Sequence, residues 1–171
     1  ASCTMASGLA PRELCETYKK IFALRNELEA ASVDELVRIF HATPSVLLRH
    51  EVAYALGQMQ LTEAEPFLCA VLEDVDENPV TRHEAAEALG AIGSEGNLDI
   101  LRRFAADPAP EVSQTCSLAV HRIEAAIDKG MCACERTAQA ALARDAGSAG
   151  DAEPEPARDP RDAERSAYMT V

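Results

Sequence analysis

Tryptophan is absent from this 171-residue sequence, and aromatic residues make up only 4% of it. A β-sandwich or barrel fills its pleated faces with aromatic and β-branched side chains, so this composition argues against one. No run approaches the ~20 apolar residues that a membrane-spanning helix needs. No charged stretch followed by an apolar core opens the chain, so no secretory signal is read there. The cysteines (Cys3, Cys15, Cys69, Cys116, Cys132 and Cys134) are scattered rather than set in a dense framework. That pattern excludes a disulfide-stapled miniprotein and suits free thiols in a reducing compartment. Cys132-Ala-Cys134 is too tight for a zinc knuckle and has no second pair. A soluble, cytoplasmic protein is expected.

Basic residues are also scarce. Sixteen Lys and Arg face 29 Asp and Glu, for a formal net charge of −13. Six of the basic and eight of the acidic residues lie from Lys129 onward, so residues 1–128 carry nearly all of the imbalance. An acidic folded part disfavours nucleic acid as a ligand and favours a metal cation or a basic partner, unless the charge serves solubility alone.

What the chain has in plenty is alanine, leucine and an internal repeat. His50 and His83 stand 33 residues apart inside LRHEVAYALGQM and TRHEAAEALGAI. A period near 33 is typical of stacked two-helix units. Aligning on the Ala-Leu pair extends the pattern to Tyr18-Lys-Lys-Ile-Phe-Ala-Leu and to Ser113-Gln-Thr-Cys-Ser-Leu-Ala-Val. The periodicity predicts first helices near 12–25, 45–59, 79–92 and 110–127, and second helices near 33–41, 64–73 and 97–106. Ser32, Thr62 and Asn97 are candidate caps of the second helices. The expected fold is all-α: a HEAT-like α-α superhelical solenoid of about four helical-hairpin repeats spanning residues 12–128. Residues 1–11 read as an unstructured lead-in. The Ala-, Pro-, Asp-, Glu- and Arg-rich stretch 129–171 reads as a flexible linker or tail, with a loose helix over 132–144. The opening without Met fits a processed fragment.

Helical geometry gives the Arg-His-Glu segments a meaning beyond the scaffold. Leu48, Val52, Ala55, Leu56 and Met59 form one apolar stripe, and at 100° per residue His50 and Glu51 project away from it. In the next repeat Ala85, Ala88, Leu89 and Ile92 face inward, while His83, Glu84, Glu87 and Gly90 are turned away. The outer repeats place Tyr18-Lys19 and Gln114-Thr115 at the His-Glu positions, so the scaffold does not itself require His-Glu. Neighbouring helices about 8–10 Å apart let two imidazoles and two carboxylates converge on one ion. Iron, manganese or zinc suits that donor mix. Gly57, Gly90, Ala53 and Ala86 are expected to keep the surface there low and open. A chance repeat of a helix consensus is the plain alternative. A His-Glu hydrolase dyad finds no Ser or Cys nucleophile in register.

The segments LLRHEVAYALGQMQ and ENPVTRHEAAEALGAIG, flanked by FALRN and DPAPEVSQTCSLAVHRIE, resemble the deoxyhypusine hydroxylases over about residues 15–128. These are HEAT-repeat, non-haem diiron enzymes that complete hypusine in translation initiation factor 5A. In that family two halves, each with two His-Glu pairs, face each other across the irons. HEVAYALGQMQ and QTCSLAVHRIE are more similar to the N-terminal half, and SAYMTV resembles the linker that follows it. The resemblance implies Fe(II) as cofactor, with His50, His83 and Glu84 as ligands. It makes Glu51 either a ligand or the carboxylate that orients the cationic substrate side chain. It also implies the deoxyhypusine form of factor 5A as substrate, and a second HEAT-like half or a homodimer partner to complete the four pairs, of which this chain holds two. Two other readings stand beside it. One is a non-catalytic HEAT-repeat adaptor that holds a basic peptide. The other is a bilin lyase of similar architecture, which has no reason to repeat Arg-His-Glu.

Overall fold

The structure is a computed structural model that describes residues 11–130. The chain divides into a unit ending at Thr137 and a second unit, 138–171. The expected lead-in, the tail and Cys132-Ala-Cys134 lie almost wholly outside the described residues.

Among the described residues seven α-helices follow one another: α1 Pro11–Glu27, α2 Ala30–Ala42, α3 Val46–Met59, α4 Glu65–Glu73, α5 Pro79–Ile92, α6 Leu98–Phe104 and α7 Pro110–Asp128. Single 3-10 turns, Thr62–Ala64 and Glu95–Asn97, lead into α4 and α6. The order is that of three helical hairpins and a further first helix, stacked in one direction. First helices pack on first helices, α1 on α3, α3 on α5 and α5 on α7, while α2, α4 and α6 each back the first helix of a hairpin or its successor. The core is the expected aliphatic one, with Leu36, Leu48, Leu56, Leu68, Leu72, Leu89 and Leu101 fully buried. No described helix is long and apolar enough to cross a membrane.

The first helices begin where local chemistry stops the preceding loop. Ser45 caps α3 by accepting a hydrogen bond from the Leu48 amide, and Asn78 caps α5 by accepting from Val80 N–H at 3.0 Å, with Pro79 at the first helical position. The second helices do not use the expected caps. α2 starts at Ala30, so Ser32 lies inside it and donates to Glu27 Oε2 at 2.6 Å. Thr62 opens the 3-10 turn and not α4, and Asn97 turns its side chain towards Cys69. Polar residues near a helix start cap it only when the backbone leaves the helix there; α4 and α6 enter through a turn that is already helical, and α2 starts two residues before Ser32.

The repeated arginine has a structural task. Arg82 donates through Nε to the Leu72 carbonyl at 3.1 Å and makes a forked bond to Asp107, with Nη1–Oδ1 at 3.3 Å and Nη2–Oδ2 at 2.6 Å. Its guanidinium also lies over the Phe104 ring, 5.4 Å from the centroid. Arg49 repeats the scheme one hairpin earlier, bonding the Thr43 carbonyl at 2.8 Å and Glu77 Oε2 at 2.6 Å, over Phe40. Each arginine thus ties a first helix to the C-terminal end of the second helix before it and to the loop that opens the next first helix.

Candidate metal centre

His50 and Glu51 stand on α3, and His83 and Glu84 at equivalent positions on α5. The two helices lie close because Gly57 has no side chain: a Cβ there would meet Ala88 Cα and Cβ at 2.8 Å. Gly90 allows the same approach of α7, since its Cβ would meet that of Ala119 at 2.7 Å. Gly57, Gly90, Ala53 and Ala86 are therefore buried in the stack. They do not form the low, open surface expected from the sequence, because the neighbouring first helix fills that space.

Close stacking brings the donors together. His50 Nε2 lies 3.0 Å from Glu84 Oε2, and the two imidazole rings are 5.8 Å apart between centroids. One donor atom each from His50, His83 and Glu84 falls within 4.8 Å of the others. Glu51 is not in this group. Its Oε1 approaches the other face of His50, 3.6 Å from Nδ1, and its charge is felt by Tyr18 on α1. Glu84 thus reaches back one repeat to His50, whereas Glu51 stays beside the histidine of its own helix.

The electrostatics suit a cation. Glu84 is buried, at 5% exposure, although its helical angle turns it from the apolar stripe: it sits in the α3/α5 seam. That burial, with the charges of Glu87 and Glu51, pushes its carboxyl up to about 7. Burial first, and then the neighbouring His50, lowers the His83 imidazole from its ordinary value, against Glu87 and Glu111. A neutral imidazole is the form that ligates a metal.

The residues fit a metal ion on two counts. Two imidazoles and one carboxylate are a donor set for iron, manganese or zinc. His50 Nδ1 is buried without a hydrogen bond, a polar atom left for something beyond the described protein atoms. Arg49 and Arg82, which sequence reasoning left without a role, support the centre by fixing the start of each ligand helix. Their signal in the sequence was the acid in each following loop, Glu77 and Asp107, 30 residues apart.

Comparisons with known proteins bear out the helical-repeat fold that carries these residues. A family model for HEAT repeats matches residues 33–120. The chain is 49% identical to deoxyhypusine hydroxylase from Gallus gallus over 115 residues, covering 67% of this chain and 38% of that protein. Deoxyhypusine hydroxylase-B from Oryza sativa subsp. japonica is 49% identical over 109 residues, 64% of this chain and 36% of its own length. The solved structure of human deoxyhypusine hydroxylase in complex with glycerol aligns with a TM-score of 0.54 at 37% identity, covering 71% of this chain and 49% of that one. The chain spans less than two fifths of the length of these curated relatives. With a HEAT-repeat match over half its length and this similarity to the hydroxylases beside it, the chain belongs to the HEAT-repeat family.

Proposed function

We propose that this chain supplies half of a deoxyhypusine hydroxylase active site, corresponding to the N-terminal half of its relatives and acting in the cytoplasm. The observation that carries the reading is the convergence of His50, His83 and Glu84 within 4.8 Å from two adjacent helices. His50, His83 and Glu84 would hold Fe(II), and a second HEAT-like half or a second copy of the chain would bring the matching donors. When bound, the completed iron pair supplies the oxidising power that inserts a hydroxyl group from dioxygen into an aliphatic C–H bond.

The chain's own residues prepare for that chemistry. Glu84 gives up its proton to ligate, and its elevated pKa makes metal affinity rise as the pH passes through about 7. Glu51, beside His50 yet outside the group of three, would receive the ammonium of deoxyhypusine and aim the side chain at the centre. Glu51, Glu84, Glu87 and Glu111 make the surroundings attractive to a basic loop such as the substrate region of translation initiation factor 5A.

The test is metal analysis of anaerobically purified protein, with molar mass read from the same sample. About one iron per chain is expected, lost in His50→Ala and His83→Ala. A folded protein that holds no iron yet binds a basic partner regardless of these substitutions would leave the adaptor reading instead. Efficient hydroxylation of the deoxyhypusine protein by the monomeric chain would refute the half-site.

A further inference from the structure

The two arginine ties are alike in bonding and unlike in what they join. Arg82 on α5 reaches Asp107, in the loop that opens α7. That helix carries Gln114 and Thr115 at the His-Glu register and gives no donor to the group of three. Arg49 on α3 reaches Glu77, in the loop that opens α5. Here both joined helices carry donors, so this pair bridges the two sides of the centre.

Both ends of the bridge are held. Arg49 immediately precedes His50, and its guanidinium is fixed by the Thr43 carbonyl at 2.8 Å and by the Phe40 ring at 5.1 Å. The Glu77 side chain is 7% exposed. Its Oε2 accepts from Arg49 Nη1 at 2.6 Å, and its Oε1 accepts from the Asn78 amide at 2.8 Å. The Glu77 amide in turn donates to the Asp74 carbonyl, closing a tight turn. Asn78 caps α5, and its carbonyl accepts from the amides of Thr81 and Arg82, the two residues before His83. A shift at Glu77 therefore passes through the first turn of α5 to the ligands on it. The Gly57–Ala88 contact governs how closely the helices approach two turns beyond His50. A metal site tolerates ligand displacements of only about 0.2 Å, so a small slip between α3 and α5 is felt in affinity before it is felt in the fold.

We propose that Glu77, through its bond to Arg49, is a positioning residue for the metal centre: it sets the offset of α5 against α3, and so the spacing of His50 from His83 and Glu84. The consequence at the metal rests on the proposed reading of the centre, whereas the spacing belongs to the protein alone. The Arg82–Asp107 pair, more deeply buried, bears on the fold more than on that spacing.

The experiment sets Glu77→Gln against Asp107→Asn in the full chain. Three quantities are read: Co(II) affinity from visible absorbance as the metal-free protein is titrated, cross-relaxation between the His50 and His83 ring protons in the metal-free protein, and the urea midpoint. Glu77→Gln is expected to weaken Co(II) about tenfold, the range seen when a partner that orients a ligand is removed. It should also weaken the signal between the rings, whose centroids lie 5.8 Å apart, at a modest cost in midpoint. Glu77→Asp, which keeps the charge that Asp107 supplies in the other tie, should restore most of the affinity and the ring signal. Asp107→Asn should lose more of the midpoint while keeping both close to wild type. A role in stability alone gives the opposite order, with affinity falling in step with the midpoint. Leu101→Val on α6 is the destabilised control if Asp107→Asn does not fold. A wild-type ring signal in Glu77→Gln, or a loss of Co(II) affinity as large in Asp107→Asn or the control, overturns the positioning role. If the wild-type chain binds no Co(II) that His50→Ala abolishes, the reading of the centre falls, and the ring signal alone then decides the role of Glu77.

Discussion

Replacing Arg82 by methionine separates the two parts of the Arg-His-Glu triplet. The side chain of Arg82 is 4% exposed and that of Asp107 3%, so the variant leaves a buried carboxylate without its forked partner and the Leu72 carbonyl without its donor. Removing one member of a buried ion pair costs about 3–5 kcal/mol. A helical unit of this size loses roughly 4 °C of melting temperature per kcal/mol, so a fall of about 12–20 °C is expected. The gap should depend on pH. The guanidinium of Arg82, helped by the Ala109 amide, holds the Asp107 carboxyl below its ordinary value. Its contribution is therefore fully present above the unfolded pKa near 3.9 and is lost as pH falls through the lower folded value. Wild type and variant should converge in acid. Arg49→Met, at a site 29% exposed, should cost less, about 1–2 kcal/mol. Thermal melts followed by circular dichroism, paired with metal analysis, decide the matter. The reasoning is refuted if Arg49→Met is the more damaging change, or if folded Arg82→Met loses iron as completely as His83→Ala.

Three further outcomes follow from the same geometry. Glu84 binds its proton more tightly folded than unfolded, so its contribution to the metal-free protein's stability, about 3 kcal/mol, should be lost as pH rises from near 4.5 through 7, and denaturant melts of Glu84→Gln should lack that loss. Gly57→Ala should destabilise by about 1–3 kcal/mol despite alanine's better helix propensity, because the new Cβ meets the backbone of Ala88; the urea midpoint should recover part of the loss in Gly57→Ala with Ala88→Gly. Burial pushes the Cys116 thiol up to about 11, so alkylation mapped by mass spectrometry at pH 8 should mark exposed Cys15 and spare Cys116 until the protein unfolds.

The first helices were legible in the sequence because each is written around a repeated Ala-Leu stripe and opened by a loop with Ser, Asn or Pro. The second helices were less so: α6 spans only Leu98–Phe104 and α4 only Glu65–Glu73, too short for a full stripe, and both enter through 3-10 turns. The meeting of His50 with His83 and Glu84 was readable from register alone. What a single helix could not reveal was the neighbour. Gly57 and Gly90 look like open surface on their own helices and become contact points once the next helix is placed. The difference between Glu84, drawn into the group, and Glu51, left outside it, is likewise set by what stands one repeat earlier: His50 in one case and Tyr18 in the other.

That backward glance gives the centre an arithmetic of its own. A carboxylate that pairs with the imidazole of the preceding unit builds its seat on a boundary, and a row of identical units always has one boundary fewer than it has members. Duplicating a His-Glu unit once would therefore create a single candidate seat and, at the same stroke, one orphan acid at the leading edge, outside the group of three. Here the orphan is Glu51. A spare carboxylate beside the seat needs no separate invention; it is the remainder left when repetition makes the first one.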